Sequence, residues 1–191
     1  MKNIVIKSAA IFILAASCNN PNTATESKPA PSDSNKTAIN KPAPPSTADI
    51  VSAYLQLKNA FTKDNSKEAA TAALAVKAAF ENFNTKGLTE PQRKQFEDIQ
   101  TEATEHAEHI GKNSGNIDHQ RMHFESLSED IYDLVKIFGA GQTLYKEFCP
   151  MYRDHKGAFW ISESKEIKNP YMGKSMSTCG IVKEEMKWSC M

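Results

Sequence analysis

The segment that decides the fold spans residues 117–138 and reads IDHQRMHFESLSEDIYDLVKIF. After an initial gap of one heptad, its apolar side chains recur every three or four residues, a spacing that places them on one face of an α-helix. These side chains are Ile117, Phe124, Leu127, Ile131, Leu134 and Phe138. The pattern predicts a long amphipathic helix.

Three further helices are predicted before this one, at residues 48–63, 66–85 and 89–110. Asn65 followed by Glu68 has the pattern of a capping box at the start of the second helix. Thr89 followed by Pro91 has the pattern of an N-terminus at the third. Short turns between four amphipathic helices indicate antiparallel neighbours. The sequence therefore predicts a mainly α fold, a four-helix antiparallel bundle.

The chain before the bundle has the pattern of a targeting signal followed by a tether. Lys2 and Lys7 precede a short apolar run at residues 9–16, which ends just before Cys18. This arrangement resembles a bacterial lipoprotein signal, in which the cysteine is lipidated; an ordinary secretory signal cleaved nearby is the alternative. Residues 18–47 are rich in Pro, Ser and Thr and nearly lack apolar side chains. We expect a signal peptide at 1–17, a disordered tether at 18–47 and a folded domain at 48–191.

Two clusters of sulfur side chains lie in the C-terminal region, where no long periodicity is present. The first is Cys149-Pro150-Met151, and the second contains Met176 and Cys179. Thiolate and thioether ligands prefer soft ions, above all Cu(I). We expect an irregular, Cys/Met-rich cap on the bundle, with one short strand at residues 158–162. The candidate ligands in this cap are Cys149, Met151, Met176 and Cys179.

Several motifs of this region occur as an ordered set: Cys149-Pro150-Met151, GAFWIS at 157–162, NPYMG at 169–173, then Met176 and Cys179-Gly180. Together with QRMHFESLS at 120–128, they resemble an exported bacterial family known as domain of unknown function 3347, over roughly residues 50–182. Members of that family occur as lipoproteins and as appendages to adaptor subunits of copper and silver efflux pumps. The resemblance therefore implies heavy-metal handling, with an efflux adaptor as a partner. The tail departs from the family, because Cys190-Met191 adds a further sulfur pair.

The pair Cys149 and Cys179 has two interpretations. A disulfide in an exported protein would close a loop of about 30 residues and stabilise the fold by on the order of 3 kcal/mol. Two thiolates on Cu(I) would instead form the centre of a metal site. Each cysteine has a methionine two or three residues away, which favours the metal site because a disulfide has no need of thioethers. Both interpretations require the two sulfur atoms to lie close together.

Four of the five histidines fall on the third and fourth predicted helices. His106 and His109 are three residues apart, and His119 and His123 are four apart, so each pair shares a helix face. Imidazole binds copper and zinc well. A hydrogen-bonded or solvated histidine is the alternative in each case. We take His123, His106 and His109 as candidate ligands, with Cu(I), Ag or Zn as the candidate ions.

Composition and missing motifs narrow the class of function. The chain carries 23 basic and 23 acidic side chains, a balance that gives no electrostatic basis for binding nucleic acid. It contains no phosphate loop, dinucleotide fingerprint, nucleophile elbow or Cys-x-x-Cys-His haem motif, and no feature favours an enzyme.

Taken together, these features predict a binding protein of the cell envelope. We expect it to be lipid-anchored on the periplasmic side, at the outer membrane, and to bind a soft heavy-metal ion, copper or silver. It would buffer the ion or hand it over. The alternative is a structural or interaction module of the envelope in which Cys149 and Cys179 form a disulfide.

Overall fold

Four long helices dominate the fold, which a computed structural model describes for residues 46–188. They are α1 (Ala48–Thr62), α2 (Ser66–Glu81), α3 (Glu90–Lys112) and α4 (Ile117–Phe138). Each helix packs against the next one along the chain. The predicted mainly α fold with four helices is confirmed. Within residues 46–188, no helix has the length and apolar character needed to cross a membrane.

The helix starts follow the predicted capping residues. The Asn65 side chain accepts a hydrogen bond from the Glu68 N–H and donates one to the Glu68 carboxylate. Thr89 and Gln92 form a reciprocal capping box at α3. These bonds satisfy backbone N–H groups that have no partner within the helix.

The end of α2 lies four residues before its predicted end, at Glu81 instead of residue 85. The reason is the aromatic ring of Phe83, which stacks on Phe96 of α3 with a centroid distance of 4.1 Å and meets Phe138 of α4 edge-on. Leaving the helix after Glu81 lets Phe83 cover this end of the core.

The core between α1 and α4 is aromatic. Phe124 of α4 stacks on Tyr54 at 5.4 Å and packs against Phe61 at 5.0 Å, both on α1. The Tyr54 hydroxyl bonds to the Ser128 hydroxyl across the same interface. Tyr54, Phe61 and Phe124 are all fully buried.

The C-terminal region contains a three-stranded antiparallel sheet. Its strands are β1 (Leu144–Cys149), β2 (Ala158–Ser162) and β3 (Ile181–Met186), in the order β2-β1-β3. The predicted strand at 158–162 is confirmed, whereas the remainder of this region, predicted to be irregular, supplies β1 and β3 as well. A β-bulge between Lys146 and Glu147 shifts the register of β1 against β3.

The sheet is attached to the bundle by buried polar contacts. The Tyr54 hydroxyl accepts a hydrogen bond from the Ile161 N–H of β2. Arg121 of α4 donates to the carbonyl oxygen of Pro170 and to that of Phe61, and it pairs with the Asp64 carboxylate at 2.6 Å. Burial acts to raise the pKa of Asp64, but these bonds from Arg121 and from the Lys174 N–H outweigh it and hold that pKa below its usual value. The C-terminal region is therefore tied to α1 and α4 together.

Candidate metal centre

The two cysteines of residues 46–188 lie side by side at one end of the sheet. Cys149 is the last residue of β1, and Cys179 lies two residues before β3. The antiparallel pairing of Phe148 with Ile181 brings the two together. Their Sγ atoms are 3.5 Å apart, and both are free thiols, Cys149 buried and Cys179 partly exposed. The closeness predicted from the sequence is thus observed.

The loop that carries Cys179 is organised by Asn169. This side chain is fully buried. Its Oδ1 accepts hydrogen bonds from the N–H groups of Tyr171 and Met172, and its Nδ2 donates to the carbonyl oxygen of Cys179 at 2.6 Å. One side chain therefore fixes both the start of the loop and the residue that bears the thiol.

Both candidate methionines lie between the two cysteines in the chain and are open to solvent. Met151 and Met176 are each 40% exposed. The Cys179 N–H donates to the Met176 carbonyl oxygen at 3.0 Å. Burial and the neighbouring Cys149 thiol raise the pKa of the Cys179 thiol, while a backbone hydrogen bond from Met151 acts to lower it. Both methionines therefore make backbone contact with the residue that carries the accessible thiol.

A buried carboxylate next to the thiols is a feature that the sequence did not reveal. Glu147 precedes Cys149 by two residues on β1 and is fully buried, with no hydrogen-bond partner for either carboxylate oxygen among the described residues. Burial raises its pKa to about 7, although the positive charge of Lys58 and the neighbouring Trp160 indole N–H act in the opposite direction. The sequence analysis did not predict β1, so it could not predict which residues of that strand are buried. Glu147 would have been found as a buried residue only if β1 had been recognised as a strand.

The indole of Trp160 connects this carboxylate with the thiol loop. Trp160 pairs with Glu147 across β1 and β2, and its Nε1 has no hydrogen-bond partner in the described part of the chain. The far edge of its ring lies against Gly180, where an added Cβ would be only 3.0 Å from Cη2. Gly180 has φ of +153°, so this close approach requires glycine. Trp160 thus packs against the residue that follows Cys179.

The histidines of α3 and α4 form a second group. His106 Nδ1 lies 3.2 Å from His123 Nδ1, and the His109 ring stacks on the His123 ring at 4.5 Å. His119 meets His123 edge-on at 4.9 Å. The predicted candidates His106, His109 and His123 are thus together, and His119 joins them. The fifth histidine, His155, is exposed.

The thiol group and the histidine group lie on different faces of α4. The C-terminal region contacts Arg121 and Glu125, the latter through Arg153 at 2.9 Å. His123 is two residues from each of them, which is about 200° around the helix axis. His123 and His119 are four residues apart and differ by only about 40°. The sulfur and imidazole side chains are therefore candidate ligands for two separate ions, not for one shared ion.

Three further candidates fall outside the described residues. They are the lipidation site Cys18 and the tail residues Cys190 and Met191.

Comparison with known proteins locates the family resemblance in the helical part of the chain. The searches of curated proteins and of solved structures found no significant match. A family model described as "Protein of unknown function (DUF3347)" matches residues 50–143. The match covers α1 to α4 and ends before Cys149, so it includes the histidine group but not the thiol pair. The match supports the predicted resemblance to this family over residues 50–143, whereas residues 144–182, which the prediction included, lie outside it.

Proposed function

We propose that this protein binds a soft monovalent metal ion, Cu(I) or Ag(I), between Cys149 and Cys179. The single observation that carries the proposal is the 3.5 Å distance between two free thiols from different parts of the chain. Two thiolates at this spacing need only a small adjustment to bind one soft ion. The protein acts as a binding protein and not as an enzyme.

The buried environment of the thiols favours thiolates that share a bound cation over thiolates without one. Cys149 is fully buried, and burial raises the pKa of Cys179. A free thiolate is therefore disfavoured at Cys179, whereas a bound cation compensates the negative charge. Thiolates also select soft ions over hard ones such as Ca²⁺ or Mg²⁺.

The exposure of Met151 and Met176 would allow the ion to be transferred to another protein. Met151 and Met176 both make backbone contact with Cys179 and are 40% exposed, so their thioethers are accessible as additional, weaker ligands. An incoming protein can replace a thioether without first displacing a buried thiolate. We therefore propose that the protein buffers the ion or hands it over, with a heavy-metal efflux adaptor as the receiving partner.

The location of the protein is part of the same proposal. Cys18 follows a signal-like segment in the sequence, and its lipidation would anchor the domain on the periplasmic side of the outer membrane. Cys18→Ala is expected to release the exported protein into the soluble periplasmic fraction. Wild-type protein found entirely in that fraction, without the mass of a lipid, would contradict the anchor.

A disulfide is the competing role for the same two cysteines. The closeness of the sulfurs serves this role as well, and the protein would then be a structural or interaction module of the envelope. Oxidised protein would be stabilised by about 2–4 kcal/mol relative to reduced protein. Methionine substitutions would leave that difference unchanged, because thioethers take no part in a disulfide.

A Cu(I) competition titration distinguishes the two roles. Cys18→Ser and Cys190→Ser leave Cys149 and Cys179 as the only cysteines of the chain. We expect this reduced, full-length protein to take one Cu(I) from a chromophoric chelator under anaerobic conditions. Adding Cys149→Ser and Cys179→Ser should weaken binding by at least about 100-fold, because both thiolates are lost.

The methionines provide the matched test. Met151→Leu with Met176→Leu conserves volume, so the cost in folding free energy stays below about 1.5 kcal/mol per site. We expect Cu(I) affinity to fall about 10-fold or more, while the same change at the exposed Met122 leaves it unaltered. Absence of Cu(I) binding by the reduced protein would refute the metal site and favour the disulfide.

A further inference from the structure

The four histidines of the bundle form a compact group at the α3–α4 interface. One nitrogen each from His109, His119 and His123 lies within 4.8 Å of the others. Three nitrogens bound to one tetrahedral Zn²⁺ ion at about 2.0–2.1 Å stand about 3.3 Å apart. His109 is exposed and His119 is partly exposed, so small ring rotations can close this difference.

The two inner histidines, His106 and His123, favour the neutral form. Burial lowers the pKa of His106 and His123, and the neighbouring imidazoles lower that of His123 further. Neutral imidazole is the form that binds a metal ion. The nearest carboxylate to His109 is Glu105, whose Oε1 is 4.0 Å from His109 Nε2. This separation is beyond hydrogen-bond distance, so the ring remains available.

His106 contacts the ring of His123 through one of its nitrogens. Its Nδ1 is 3.2 Å from Nδ1 of His123. When Nδ1–H of His123 donates in this contact, Nε2 of His123 carries no proton and can bind an ion. Metal-binding histidines commonly have their second nitrogen fixed in this way, and the fixing group orients the ring. His106 is therefore a positioning residue.

We propose a second metal site in this protein, formed by His109, His119 and His123, for a borderline divalent cation such as Zn²⁺. Three imidazoles without a thiolate suit Zn²⁺ better than Cu(I). The site opens to solvent on the face of α4 that is turned away from the thiol pair. It does not depend on the proposed Cu(I) site, and the two can fill independently.

Zinc titration of a chain without thiols tests this site. We would replace Cys18 and Cys190 with Ser and Cys149 and Cys179 with Ala, then add ZnCl₂ in a calorimeter. We expect one ion per chain. ¹⁵N-detected spectra of the imidazole rings should show three histidines shifting together, His109, His119 and His123, with His155 unchanged.

Variants in this background identify the ligands. His109→Ala with His119→Ala should weaken Zn²⁺ binding by at least about 100-fold, because loss of a mere orienting group already costs about 10–100-fold. His106→Ala should weaken it about 10-fold, and His106→Asn should restore it, because the amide oxygen replaces Nδ1. His155→Asn is the matched control, since asparagine tolerates the φ of +67° there.

Two outcomes would overturn the second site. One is Zn²⁺ binding that is equal in the His109→Ala, His119→Ala variant and the His155→Asn variant, with circular dichroism showing that both are folded. The other is an absence of binding below millimolar Zn²⁺. Cu(I) affinity of the thiol-containing chain should be unchanged by the histidine variants, so failure of one site is distinguishable from failure of the other.

Discussion

Arg121→Met should detach the C-terminal region from the bundle and lower the stability of the whole domain. Arg121 is 7% exposed. It donates to Pro170 O at 2.8 Å and to Phe61 O at 3.1 Å, and it pairs with Asp64. Methionine can fill much of the space of the aliphatic stem but can donate no hydrogen bond.

The expected loss can be worked from these three contacts. Pro170 O would be left buried without its partner, which costs about 1–3 kcal/mol. Phe61 O keeps a hydrogen bond from the Asp64 N–H, so losing the Arg121 bond there costs about 1 kcal/mol. Asp64 is 36% exposed, and its ion pair adds no more than about 1 kcal/mol. The sum is about 3 kcal/mol, or a lowering of Tm by about 9 °C.

Urea denaturation followed by circular dichroism measures this loss. Arg153→Met is the control, because its ion pair with Glu125 is also made to α4 but Arg153 is 48% exposed. We expect the control to lose less than about 1 kcal/mol. An Arg121→Met variant no less stable than the Arg153→Met variant would refute the idea that Arg121 holds the C-terminal region in place.

Three other buried groups give further predictions. The pKa of Glu147 is raised to about 7, against about 4.3 in an unfolded chain, so folding favours its protonated form. Stability relative to Glu147→Gln should therefore fall as the pH rises from about 4.5 to 7, by up to about 3 kcal/mol, and stay at that lower level above pH 7. The same pH dependence is expected relative to Asp130→Asn, since burial and then Glu102 raise the pKa of Asp130 to about 7. Denaturation at pH 5 and pH 8 measures the difference in unfolding free energy between wild type and each variant. A difference that is equal at the two pH values would contradict the prediction. Asn169→Ala should cost about 2–3 kcal/mol and weaken Cu(I) binding about 10-fold, because the loop holding Cys179 loses three hydrogen bonds. The control Asn59→Ala, which removes a single exposed bond to Glu163, should change Cu(I) affinity little, and an equal effect of both variants would count against Asn169.

The helices were predictable because their signals are local. Apolar spacing identified α4, and the caps at Asn65 and Thr89 marked the starts of α2 and α3. The end of α2 was not predictable, because it depends on Phe83 stacking with Phe96 of another helix. A tertiary contact of this kind leaves no trace in a local pattern.

Strands β1 and β3 escaped prediction for a related reason. β3 is an edge strand in which only Met186 is buried, so it lacks the alternation of apolar and polar residues that marks a strand. In β1 the bulge at Lys146 and Glu147 breaks that alternation and turns Glu147 inward. The sequence consequently did not distinguish Glu147 from the solvated acidic residues.

The candidate ligands were found as residue types, and the structure determines how they group. Sequence spacing paired His106 with His109 and His119 with His123, but only the packing of α3 on α4 joins the two pairs. Cys149 and Cys179 are 30 residues apart, and the β1–β3 pairing brings them together. Spacing along a helix is visible in sequence, whereas contact between elements is not.

X-ray absorption spectroscopy at the copper edge tests the central claim most directly. The sample is the reduced full-length chain with Cys18→Ser and Cys190→Ser, loaded with one equivalent of Cu(I). We predict a first coordination shell of sulfur alone, which is lost when Cys149 and Cys179 are replaced by Ser. A shell dominated by nitrogen or oxygen, or one that is unchanged in that variant, would contradict a Cu(I) site at these two thiols.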